Sequence, residues 1–264
     1  YTGQEKDRQM LEKRLVELSR TAYQRGIITY TDFMNLNEQN ILHTLPKDQL
    51  YTRVVSFGGY EMAERQMAAF IPDALYLRYG KKELLPEEID YPFITLRISP
   101  LNRKFAEELT HRDYLGAILN LGIERSKTGD ILVRDREALL FVHADVAPYI
   151  QDTLCRVRHT SVSLSEITDA EFDCQPDYEE IRGTVASIRL DALLALAFSS
   201  SRTRLTGLIE GAKVFVNGKL ITSNGYQPAE GDIISVRGMG KFRFESAGQK
   251  TRKNRISVVI QKYI

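Results

Sequence analysis

Asn217-Gly218 lies between two short β-prone runs, residues 213–216 and 219–221. Of all short signals in the chain it constrains the fold most, because a type I′ turn needs a positive φ at both central residues and Asn-Gly supplies it best. A hairpin is therefore expected here, with a third strand at 233–236 after Gly231-Asp232. Two helices are expected in front of it. The first opens near Asp191, read as its N-cap, and repeats Leu190, Leu193, Leu194 and Ala197 on one face. The second is capped by Ser199 or Ser200, buries Leu205, Leu208 and Ile209, and ends at Glu210-Gly211. Arg202 and Arg204 fall in its first turns, where the helix dipole ordinarily favours acidic side chains. Cations there suit a phosphate ligand, since the free N–H groups of a helix start already attract anions.

Charge is divided unevenly along the 264 residues. From 181 onward there are 14 Lys and Arg against 5 Asp and Glu, a net +9, which leaves 22 basic and 30 acidic residues, a net −8, before it. The C-terminal part is thus expected to meet a polyanion while the remainder does other work. Residues 166–181 hold seven acidic side chains and no basic one, and read as a charged linker. No stretch approaches the roughly 18 apolar residues of a membrane span, the longest run being 192–198, and no secretory core follows the first residues. Cys155 and Cys174 make neither a metal-ligand pair nor a disulfide framework, so reduced thiols in a cytoplasmic protein are expected.

Ahead of the linker, residues 6–24 read as an amphipathic helix stopped by Gly26, and a second helix is expected from a Thr31 or Asp32 cap to about Thr44. Residues 53–57 read as a strand, Gly58-Gly59 as a turn, and 61–71 as a helix broken by Pro72. That turn lacks the lysine of a P-loop and the three glycines of a dinucleotide site. Beyond residue 91 the pattern becomes strand 93–98, helix 103–120, strands 130–134 and 138–142, helix 145–153 and strand 161–164. This βαββαβ order is ferredoxin-like and shared with RRM domains, without the aromatic signature of a base-stacking RRM. His111-Arg112-Asp113 matches the start of a kinase catalytic loop, yet no other kinase element accompanies it.

Ser187-Ile188-Arg189-Leu190-Asp191, Ser200-Ser201-Arg202-Thr203-Arg204, Ile209-Glu210-Gly211, Val214-Phe215-Val216-Asn217-Gly218 and Gly231-Asp232-Ile233 resemble the S4 RNA-binding domain. Phe57-Gly58-Gly59-Tyr60, Phe105-Ala106-Glu107, Leu109 through Gly116, Leu121-Gly122-Ile123-Glu124-Arg125 and Gly129-Asp130-Ile131-Leu132-Val133 are similar to the bacterial YlmH proteins. The expected class is α+β: a helical and βα region over 1–85, a ferredoxin-like, RRM-like domain over 86–165, an acidic linker over 166–181, and an S4 domain with a basic tail over 182–264.

The resemblance implies a cytoplasmic RNA-binding protein, encoded among cell-division genes and associated with large ribosomal subunits carrying stalled peptidyl-tRNA. Its partners would be rRNA or tRNA, with a protein partner on the acidic N-terminal domains as a further expectation, and neither cofactor nor metal. Candidate RNA contacts are Arg182, Ser187, Arg189, Ser201, Arg202, Arg204, Lys213, Asn217, Lys219, Arg237, Lys241 and Arg243. Arg103, Lys104, Arg112, Arg125 and Lys127 form a candidate secondary surface. No catalytic residue is expected. The competing enzyme reading, an S4-fronted pseudouridine synthase, needs a large catalytic domain, and only 24 residues follow Gly240 here. A scaffold for division proteins is the third reading.

Overall fold

The computed structural model describes residues 2–168 and 177–264, and the chain divides into two compact units, 1–174 and 175–264. The first unit opens with α1 (Gly3–Arg25), stopped by Gly26 in the left-handed conformation. Then come β1 (Thr29–Tyr30), α2 (Leu36–Thr44), β2 (Arg53–Phe57), β3 (Met67–Ile71) and α3 (Asp73–Tyr79). β3 is the centre of an antiparallel sheet, β1-β3-β2.

Two expectations fail in this region, each for a local reason. α2 starts at Leu36, because Asn35 and Glu38 make a reciprocal capping box (2.9 and 3.0 Å). Thr31 is used elsewhere, its hydroxyl accepting the Ala68 N–H at 2.9 Å. The helix expected over 61–71 is instead a turn followed by β3. All five residues of β3 are buried, Ala68 and Phe70 against α1 and α2 and the alternate residues on the face shared with Phe57. A strand buried on both faces is apolar without alternation, so its sequence cannot be told from a short buried helix.

β4 (Phe93–Pro100), α4 (His111–Leu119), β5 (Thr128–Arg134), β6 (Glu137–His143), α5 (Ala147–Thr153), β7 (Arg156–Val157) and β8 (Thr160–Ile167) complete the unit. Their sheet runs β5-β6-β4-β8-β7 with every neighbouring pair antiparallel. Without the two-residue edge β7, that is the ferredoxin-like order. Tyr114 and Ile118 of α4 and Ile150 of α5 pack on Leu96, Ile98, Ile131 and Leu140, closing one face of the sheet. The helix expected over 103–120 is halved. Thr110 and Asp113 form a capping box that starts α4 at His111, while residues 103–105 make one 3-10 turn.

The second unit contains β9 (Tyr178–Val185), α6 (Leu190–Phe198), α7 (Arg202–Glu210), β10 (Val214–Val216), β11 (Lys219–Leu220), β12 (Ile233–Val236), β13 (Gly240–Lys250) and β14 (Ile256–Tyr263). They form one antiparallel sheet, β11-β10-β12-β13-β14-β9. Leu190, Leu193, Leu194, Leu205 and Ile209 of the helices pack on Val214, Val216, Ile234, Val236, Phe242 and Phe244. Each side chain of this size contributes roughly 1.5–3 kcal/mol by leaving water. Asn217 and Gly218 both have positive φ, 50° and 79°, so the hairpin forms as its dipeptide requires. The basic run 250–255 becomes the tip joining β13 to β14. Of the acidic segment, Glu166 belongs to β8 and Glu179 and Glu180 to β9, whereas Asp169, Glu171 and Asp173 lie outside the described residues.

Candidate nucleic-acid interface

The N-termini of α6 and α7 are finished differently. At α6 the loop 224–226 supplies acceptors, Leu190 donating to the Tyr226 carbonyl (2.8 Å) and Asp191 to that of Asn224 (3.3 Å). Arg189 occupies the cap position, so Asp191 is not the N-cap that its sequence context suggests. It is 4% exposed, and its carboxylate takes two bonds from Arg189, Nε at 3.1 Å and Nη2 at 3.2 Å. Arg202 Nη2 stands 3.9 Å from the same carboxylate. Asp191 thus pins both α6 and the root of α7.

At α7 only Ser201 caps, its hydroxyl accepting the Arg204 N–H at 3.3 Å. The other first-turn N–H groups have no intrahelical partner. Arg202 keeps 74% of its side chain exposed despite Asp191, and Arg204 is exposed with no protein partner among the described residues. Two exposed guanidiniums beside a helix start could hold phosphate oxygens.

The remaining candidates do not converge there. Arg189 is half-buried and its charge is balanced by Asp191, which makes it a support for the arginines of α7. Asn217 is occupied within the fold, donating to Asp232 (2.9 Å) and accepting the Ile233 N–H (2.9 Å). Lys213 follows the other end of α7, about 12 Å from its start by the rise of an α-helix, with Arg237 beside it donating to the Lys213 carbonyl. Lys219 is exposed on the edge strand β11 and Ser187 is exposed ahead of α6. Strand register puts Lys241, Arg243 and Arg182 on the sheet face opposite the helices, together with Phe215, over which Arg237 lies at 5.7 Å. Arg182 is paired with Glu180 at 2.6 Å.

The secondary set separates further. Arg103 and Lys104 sit on the 3-10 turn, tied to the β5–β6 turn through Arg103 Nη2 on the Asp135 carbonyl (2.8 Å) and Arg136 Nη1 on the Arg103 carbonyl (3.0 Å). Arg112 is exposed on α4. Arg125 and Lys127 lie in the seam between the two sheets of the first unit, each half-buried and engaged within the fold. Lys127 pairs with Asp32 at 2.8 Å. Arg125 donates to the Thr128 and Gly129 carbonyls, and burial beside Arg65 lowers its guanidinium to about 10.

That seam explains motifs whose role the sequence left open. Asp130 accepts from the Tyr60 hydroxyl (2.5 Å) and from the Glu64 and Arg65 N–H groups (2.8 and 3.0 Å), while Arg65 reaches the Phe33, Arg125 and Thr128 carbonyls. Tyr60 stacks on Phe141 at 5.3 Å, and Phe93 meets Phe33 and Phe57. A Cβ on Gly59 would come within 2.4 Å of the Phe141 ring, and one on Gly129 within 2.7 Å of Phe33. Phe93 and Phe141 belong to the sheet face that an RRM uses for base stacking. Here the N-terminal elements cover them.

Comparison with known proteins agrees with this architecture. Residues 86–171 match the family described as "Putative RNA-binding domain in YlmH", and residues 188–234 match the S4 domain. The chain is also 30% identical, over 99% of its length and 98% of the other's, to the ribosome-associated protein quality control protein P2 of Bacillus subtilis. The chain belongs to the YlmH family. A solved structure, the cell division protein ylmH from Streptococcus pneumoniae, is 26% identical and covers 65% of this chain and 95% of its own, with a TM-score of 0.49. Within this YlmH chain Arg65 was invisible to motif reading, and Asp130, though part of the Gly129-Asp130-Ile131-Leu132-Val133 motif, gave no sign of its partners. Polar groups separated by 65 positions carry no periodic signal.

Proposed function

We propose that the protein grips structured RNA, rRNA or tRNA, through its S4 domain, and does so on the large ribosomal subunit carrying stalled peptidyl-tRNA, in the cytoplasm. The observation that carries this reading is the open start of α7, where Arg202 and Arg204 stand exposed around first-turn N–H groups without a partner among the described residues, while the neighbouring helix start is closed by its own loop. Kinship to a protein named for ribosome-associated quality control supports the ribosome as the setting. The excess of basic residues after 181 supports a polyanionic partner. Recognition would be by shape and phosphate, with arginine forks setting position and no bond made or broken. A tie to cell division, and a protein partner for the acidic first unit, belong to the same proposal; the printed title of the streptococcal protein is what suggests the former. The test is sedimentation of the tagged, gently purified chain with ribosomal particles in a sucrose gradient. Comigration with large subunits carrying peptidyl-tRNA is expected, and a chain that stays at the top of the gradient contradicts the reading.

A further inference from the structure

On the helical side of the five-stranded sheet, α4, the end of α5 and the edge strand β7 enclose an open groove of about 530 Å³. Arginines enter it from two elements, Arg112 from α4 and Arg156 and Arg158 from β7 and the turn after it. Only Arg158 has a carboxylate, Asp113 at 3.5 Å, and it remains 60% exposed. Arg112 and Arg156 are exposed and have no protein partner among the described residues. The floor carries a second oddity. Gly116 lies inside α4, and a Cβ there would meet nothing within 4 Å. Glycine within a helix is unfavourable by about 1 kcal/mol against alanine, and close packing, its usual justification, does not apply here.

We propose that this groove is a second RNA-binding site, in which Arg112, Arg156 and Arg158 hold the phosphate backbone and Gly116 leaves room for it to lie against α4. The proposal rests on the reading of the chain as an RNA binder; the family description already names an RNA-binding domain at residues 86–171, and what is added is its helical face and the three arginines as the place of contact. The opposite face of this sheet is closed by Tyr60 on Phe141 and Phe33 on Phe93, so base stacking in the manner of an RRM is excluded at those rings. The helical side is open. A protein ligand would need an apolar anchor site at the centre of its interface. Here Leu154 is buried and Ala117 and Leu121 are half-buried, while the exposed lining is Arg112, Asn120, Cys155, Arg156 and Arg158; three arginines against the single carboxylate of Asp113 suit a polyanion.

The groove contains its own reporter, Cys155, which is exposed. In the full chain carrying Cys174→Ser, alkylation of Cys155 by a small maleimide is followed with and without saturating transfer RNA, with binding checked by fluorescence anisotropy. Transfer RNA should slow alkylation at least severalfold. Arg112→Ala with Arg156→Ala should weaken binding severalfold and flatten the slope of log affinity against log salt by about 1.5, two contacts at 0.7–0.9 each. Gly116→Leu, which fills the groove while improving helix propensity, should weaken binding without lowering the melting temperature. If RNA-saturated protein alkylates at the free rate, or the double variant keeps wild-type affinity and slope, the groove is not an RNA site, whether or not it captures an acidic peptide. Those results leave the α7 interface standing. A chain that binds neither transfer RNA nor purified large ribosomal subunits overturns both.

Discussion

Asp191 and Asp130 show how one carboxylate can organise a region. Each is an acceptor for several donors that would be orphaned by its loss, and an orphaned buried donor costs about 1–3 kcal/mol. Asp130→Ala should therefore destabilise the first unit by about 2 kcal/mol, because the Tyr60 hydroxyl and the Arg65 N–H lose their partner together, while water can serve the exposed Glu64 N–H. Urea unfolding of the full chain checks this through the first transition. Asp191→Ala should cost no more, about 1–2 kcal/mol, because Arg189 is 42% exposed and water can replace part of the pair. It should also weaken RNA binding, since Arg202 loses its anchor. At this scale the sequence was legible where a residue acts locally: Asn217-Gly218 named its turn and Gly26 its helix stop. Asp191 was misread as a cap because its real partner, Arg189, occupies the cap position itself. Arg125 and Lys127 looked like surface charge because nothing in their neighbourhood announces Asp32 or Arg65.

Among the elements, the errors fall where tertiary packing overrides local preference. Met67-Ala68-Ala69-Phe70-Ile71 is a good helical sequence that becomes a strand between β1 and β2, since a sheet centre buries both of its faces. Residues 103–110 have helical composition, yet Thr110 and Asp113 cap the helix later than propensity suggests. The turn ahead of β3 depends on close approach. Gly58 lies where a Cβ would stand 2.2 Å from the Arg65 carbonyl, and Gly59 combines φ of 98° with the Phe141 ring 2.4 Å from a Cβ. Gly59→Ala should lower the stability of the first unit by more than 2 kcal/mol through both strain and displacement of Phe141. Gly116→Ala should be neutral or stabilising. Thermal melts of the two variants side by side make the comparison, and equal losses would mean that the seam is not what holds Gly59.

For the whole molecule, the division of charge and the division of structure nearly coincide but differ at their edges. A boundary at 181/182 cuts through β9, which pairs with β14 along its full length from Tyr178–Tyr263 to Val185–Ile256. A fragment 177–264 should consequently fold and bind RNA, while 182–264 loses the first four residues of its edge strand and should unfold at lower denaturant. Binding should be mainly electrostatic, so log affinity for transfer RNA should fall with log salt at a slope of at least about −1.5, the two arginines of α7 at 0.7–0.9 each, and a nearly flat response would contradict it. The central claim concerns the start of α7, and one comparison bears on it most directly. Arg202→Ala with Arg204→Ala, in the full chain, is measured for affinity to purified large ribosomal subunits against Lys213→Ala with Lys219→Ala, with circular dichroism to verify folding. The arginine pair should lose roughly 2–4 kcal/mol, on the scale of charged hydrogen bonds, and the lysine pair clearly less, with melting unchanged in both. A folded arginine variant that binds the subunits at wild-type affinity would contradict the account.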